Sequence, residues 1–169
     1  MPNAGDPVTS ADGTAVEDYT IRKPICRLAQ QVAQSLTTAT DVSITFAAGS
    51  EEIDTHGFHD ETTNNTRITP TLAGYYRLTA TMCLSSATGV TNMSVVVRKN
   101  GTQVAPLVRI QPASAVNSSR SVQTVVIQSA NGVGDWFDMQ AQQVSGGSLN
   151  TNIGTPLQSV FECEFIRPL

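Results

Sequence analysis

The stretch Gly134-Asp-Trp-Phe-Asp-Met-Gln-Ala-Gln-Gln-Val-Ser-Gly-Gly-Ser-Leu149 decides the architecture. It reads with a period of two, the repeat of an extended strand, and runs into a glycine-rich bend. Upstream, Leu72-Ala-Gly-Tyr-Tyr-Arg-Leu-Thr-Ala-Thr-Met82 has the same alternation and is again opened by a glycine. Nothing between the two carries helical periodicity. The starting point is an all-β sandwich.

Other strands follow on either side. Ile25 to Val32 reads as a first strand, and Val42-Ser-Ile-Thr-Phe46 alternates strictly, with Val42, Ile44 and Phe46 inward. Residues 47–66 form a long polar connection, of a length that usually serves a function or is disordered. Pro70 marks a break or an edge. Met93 to Val104 is a hairpin, because Asn100-Gly101 supplies the two positive-φ positions of a type I′ turn. Ser121 to Gln128 is a further strand. Ser159 to Ile166 closes the series, with Val160, Glu162 and Glu164 on one face and Phe161, Cys163 and Phe165 on the other. Short strands at such intervals define a jelly roll or a related sandwich of two antiparallel sheets.

Length and composition set the bounds. A chain of 169 residues is one domain with room for a tail, and it buries enough surface to fold without disulfides or metal. We divide it into an extended N-terminal arm, residues 1–22, and a jelly-roll domain, residues 23–169. From Met1 to Thr20 the arm has Val8, Val16 and Tyr19 as its only sizeable apolar groups, too few to offset its ordering entropy alone. Those three are the residues expected to anchor it on a partner. A net charge of −4 offers no basic stripe for nucleic acid. No apolar run is long enough for a membrane helix, and the N-terminus lacks the basic start and apolar core of a secretory signal. Synthesis in a cytoplasm is therefore expected.

Constellations for chemistry are sparse. His56 and His59, with Asp54 and Asp60, place imidazole and carboxylate groups close enough to weigh as a metal site, but in a polar loop with nothing to fix their geometry. No metal and no cofactor are expected. With both histidines in one loop and no Gly-x-Ser-x-Gly, a nucleophilic triad is not indicated. Glu162 and Glu164 are expected to pair with arginines across strands or to be solvated. Cys26, Cys83 and Cys163 form an odd set without paired spacing and read as small buried hydrophobes. Alternation also sets Tyr75, Arg77 and Thr79 against Tyr76, Leu78 and Ala80, so one set leaves the core. A central strand whose second face carries a large aromatic calls for a cover, which symmetric self-association would supply.

The Gly74-Tyr75-Tyr76 strand, the Arg98-Lys99-Asn100-Gly101 hairpin, the Gly134-Asp135-Trp136 strand and a last strand bearing Phe161 together resemble the tumour-necrosis-factor-like jelly roll of complement globular heads. The series Asp54-Thr-His-Gly-Phe-His-Asp60, then Asn64-Asn-Thr-Arg67, is similar to the corresponding stretch of phage-borne members. The resemblance covers about residues 24–168. It implies a compact homotrimer, with the first, last and Gly-Tyr-Tyr strands near the threefold axis, so Cys26 and Cys163 fall on neighbouring strands. Tyr75, Arg77, Trp136 and Phe161 are the expected trimer-interface residues. The chain lacks the collagen or coiled stalk of secreted animal members. The expectation is a non-enzymatic bacteriophage protein on the virion surface, decorating or cementing the capsid through its arm and meeting the major capsid protein or tail and fibre proteins. The rival is a receptor-binding knob whose outer loops (47–66, 85–92, 112–120) touch a host glycan or surface protein.

Overall fold

The computed structural model describes residues 23–86, 89–111 and 119–169. The proposed arm, with Val8, Val16 and Tyr19, lies outside the described residues, as do residues 112–118 of one outer loop. Thirteen extended segments follow in chain order: β1 (Ile25–Ala29), β2 (Ser35–Leu36), β3 (Val42–Ser43), β4 (Glu51–Asp54), β5 (Arg67–Ile68), β6 (Ala73–Leu84), β7 (Asn92–Lys99), β8 (Thr102–Gln103), β9 (Val108–Ile110), β10 (Arg120–Asn131), β11 (Phe137–Val144), β12 (Leu149–Asn150) and β13 (Val160–Arg167). All their pairings are antiparallel.

One sheet has the order β10-β6-β13-β1-β4. The other runs β3-β11-β7-β8, with β5 also on β11 and β9 also on β7, and β12 with β2 makes a small third ladder. First and last strands are neighbours: β1 pairs with β13, and the Phe165 amide donates to the Pro24 carbonyl at 2.9 Å.

The alternation read from the sequence sorts side chains as expected. Tyr76, Leu78, Ala80 and Met82 of β6 and Phe161, Cys163 and Phe165 of β13 point inward. They meet Phe137, Met139 and Ala141 of β11 and Met93, Val95 and Val97 of β7. Phe46 stacks on Phe161 with ring centroids 6.5 Å apart. Tyr76 stands edge-on to Phe58 at 5.9 Å and to Phe165 at 5.4 Å. Its hydroxyl donates to the Leu72 carbonyl at 2.8 Å, so the one polar atom of this aromatic cluster is satisfied. Each such side chain contributes roughly 1.5–3 kcal/mol by leaving water. The β7–β8 turn has Asn100 at φ 51° and Gly101 at φ 80°, as the Asn-Gly signal required.

Two readings of the sequence are corrected. The connection 47–66 is not one loop, because Glu51–Asp54 forms β4 on the free edge of β1. Its residues Glu-Glu-Ile-Asp carry no core alternation; backbone pairing with β1 and the Arg27–Glu52 ion pair hold them. Nor does the strand at 42–46 stay in its ladder throughout. The Ile44 amide still donates to the Met139 carbonyl of β11 at 3.1 Å, but Phe46 turns to the Asn65 carbonyl at 2.6 Å, and β11 pairs on with Arg67 and Ile68 of β5.

Candidate interaction face on the five-stranded sheet

The outer face of the five-stranded sheet is built from the alternate residues of five strands. Register puts Ile53, Arg27, Glu162, Thr79 and Val125 in one row across it, and Ile25, Glu164, Arg77 and Ile127 in the next. Val125 and Ile127 are 51% and 57% exposed at the β10 edge, and Ile53 is 43% exposed at the β4 edge. Apolar side chains thus flank both margins.

Charges fill the centre. Arg27 donates through Nε to Glu52 at 2.6 Å and through Nη1 to Glu162 at 3.0 Å. Glu164 accepts from both Lys23 and Arg77. These ion pairs join three cations to three carboxylates. Lys23, with help from Arg77, holds the Glu164 carboxyl below the usual glutamate range, and the bond to Glu52 raises Arg27 further. The expectation that Glu162 and Glu164 pair with arginines holds. Tyr75 lies further along the same face, with the Arg167 guanidinium 4.4 Å from its ring centroid.

Of the four interface residues expected from the sequence, Tyr75 and Arg77 share this face. Phe161 does not: it is 0% exposed and its ring lies inside the sandwich, because alternation on β13 turns Glu162 and Glu164 outward instead. Trp136 does not either. It precedes β11 in the other sheet, its backbone amide donates to Asn100 Oδ1 at 3.0 Å, and the Arg67 guanidinium covers its ring at 3.9 Å. Val125 and Ile127 were missed. The run Val125-Val126-Ile127 held the signal, since three successive apolar residues on a strand must place some on the solvent side.

The outer loops fall at two ends of the domain. Residues 55–66 follow Asp54 at the Ile25 end of β1, whereas Ser50 bonds Ala29 at its other end. Leu84 pairs with Arg120, so Ser85 and Ser119, the described residues next to them, flank the other end of the sheet.

Within 55–66, the candidate metal residues are committed to the backbone. Asp54 accepts from the amides of His56 and His59, at 3.2 and 2.8 Å. Asp60 takes the hydroxyls and amides of Thr62 and Thr63, which lower its pKa far below the usual range. Both ring nitrogens of His59 face carbonyl oxygens, Arg67 O at 2.7 Å and Phe46 O at 3.0 Å. No lone pair of His59 is turned toward an ion. Among the described residues no group of three His, Cys, Asp or Glu side chains is arranged to hold a metal, and no cavity of ligand size opens.

The two cysteines on neighbouring strands are paired in register, Cys26 opposite Cys163. Both are free, fully buried thiols, and desolvation pushes both well above the ordinary thiol range. Cys83 is buried as well.

The two sheets, their strand order and the all-antiparallel pairing define a tumour-necrosis-factor-like jelly roll. Solved structures agree. Murine APRIL at pH 5.0 superposes with a TM-score of 0.57 at 9% identity, over 85% of this chain and 99% of that one. The Eiger TNF of S. frugiperda gives 0.55 at 8% identity, over 88% and 95%. No protein-family model and no curated protein sequence matches the chain.

Proposed function

We propose that this chain is a non-enzymatic structural protein of a bacteriophage virion surface, which assembles as a homotrimer through the outer face of the five-stranded sheet and attaches through residues 1–22. The observation that carries the assembly is the layout of that face. It has one apolar margin at Val125 and Ile127, a different one at Ile53, and ion pairs between them. Two unlike margins on one copy suit a head-to-tail contact, which closes into a ring under rotational symmetry. The threefold number and the virion location rest on the resemblance of the Asp54–Arg67 stretch and the Gly74-Tyr75-Tyr76 strand to phage-borne jelly rolls. Surface decoration is preferred to a receptor-binding knob because the described parts of the outer loops are divided, residues 55–66 at one end and Ser85 and Ser119 at the other.

The test is the mass of the native particle. By light scattering, the wild-type chain runs at three times its protomer mass, and the double variant Val125→Asp, Ile127→Asp runs as a monomer with an unchanged β-sheet circular dichroism spectrum. A monomeric wild-type protein at micromolar concentration overturns the assembly. Full-length protein that rebinds stripped virions, while residues 23–169 do not, supports arm attachment; equal rebinding by both refutes it.

A further inference from the structure

The His59 ring ties together three segments that are distant in sequence. Its backbone amide donates to Asp54 at the end of β4, Nδ1 lies 2.7 Å from the Arg67 carbonyl on β5, and Nε2 lies 3.0 Å from the Phe46 carbonyl. A carbonyl oxygen only accepts. Both ring contacts are therefore hydrogen bonds in one protonation state alone, the imidazolium, which carries a proton on each nitrogen. In the neutral ring one nitrogen would turn its lone pair toward a carbonyl oxygen at hydrogen-bond distance, and that contact becomes repulsive.

The geometry points to a proton-operated latch: His59, when doubly protonated, fastens the loop of residues 55–66 to the sandwich, and loss of one ring proton to solvent releases one of its two carbonyl holds. Carboxyl groups lie near the ring on two elements. Glu51 and Asp54 approach from β4, and Asp60 and Glu61 from the loop itself. Glu61 is itself folded back onto the Glu51 amide at 3.1 Å, which keeps its charge beside the latch. Arg67 contributes its carbonyl to His59 and carries its guanidinium over Trp136 instead. Histidine is the side chain type whose charge ordinarily changes between about pH 5 and 8, which sets the range the experiment scans.

What the latch holds is a surface element. Phe58 is buried against Tyr76 and its carbonyl accepts from the Thr69 amide at 2.7 Å, while Asp60, Thr62 and Thr63 are exposed. Release of His59 would loosen the exposed part of the loop first. This inference stands apart from the proposed assembly, because none of its groups lies on the Val125–Ile127 margin.

The experiment uses the full chain labelled with 15N. Long-range proton–nitrogen spectra should show the doubly protonated pattern for His59 at pH 5.5 and a single-proton pattern at pH 8.5. Amide exchange of residues 59–67, corrected for its intrinsic pH dependence, should accelerate about tenfold across the same step, the size of one charge-assisted hydrogen bond. His59→Gln should remove the step, and His56→Gln should keep it. A neutral-tautomer pattern at pH 5.5, or corrected exchange that is flat across the titration, overturns the latch. The wild-type spectra decide the matter even if the glutamine variant fails to fold.

Discussion

Gly74→Ala tests why the Gly-Tyr-Tyr strand begins with a glycine. Gly74 is not at positive φ, so the requirement is steric rather than conformational. A Cβ built there would lie 2.3 Å from Phe165 Cε2, 3.0 Å from Cδ2 and 2.8 Å from the Arg167 carbonyl oxygen. Ordinary contact begins at 3.4 Å, so the ring must retreat by about 1 Å, and it is already held edge-on by Tyr76 at 5.4 Å. Overpacking of this kind costs about 1–3 kcal/mol. The carbonyl cannot rotate away, and losing the Tyr76 geometry adds about 0.5–1.5 kcal/mol. The expected loss is therefore about 3 kcal/mol. It is measured by urea denaturation followed by Trp136 fluorescence, at fixed protein concentration because assembly and folding are linked. A double-mutant cycle with Phe165→Leu separates the two obstacles. The alanine should cost less in the leucine background, with a remainder from the Arg167 carbonyl. A loss below about 0.5 kcal/mol, or an equal loss in both backgrounds, refutes the steric account.

Two further outcomes follow from the charged groups. Asp138 is 2% exposed and takes Arg98 through both carboxylate oxygens, with Ser43 donating a third bond. Arg98→Ala leaves that carboxylate buried without its counter-charge, and should cost about 3–5 kcal/mol in the same denaturation assay; a loss under about 1 kcal/mol would contradict the pairing. Glu164 has a folded-state pKa below its unfolded one, so its contribution is complete above the ordinary glutamate value of about 4.3 and disappears as pH falls through the lowered value. Glu164→Gln should therefore flatten the acid limb of the stability curve below about pH 4.3 and reduce stability above it. An unchanged acid limb would exclude Glu164 as its source.

The elements legible in the sequence were those whose side chains are sorted by burial. β6, β11 and β13 each bury alternate residues, and β7 ends in an Asn-Gly turn that allows little else. β4 was not legible, because Glu51 and Glu52 are exposed and the strand exists through its backbone pairing with β1. The interaction face was half visible. Alternation put Tyr75 and Arg77 outside, but it could not say that Trp136 belongs to the other sheet, which depends on tertiary pairing. Alternation sets Phe161 and Glu162 on opposite faces of β13 without saying which faces inward, and only the packing shows that Phe161 is the buried one. His59 could be seen only as a ligand-type residue, since its two carbonyl partners lie 8 and 13 residues away on different elements.

The adjacency of β1 and β13 has a practical result. Lys23 pairs with Glu164 and Pro24 meets Phe165 on one rim, so a polypeptide fused after Leu169 starts beside the entry to β1 and away from the Leu84 end of β6.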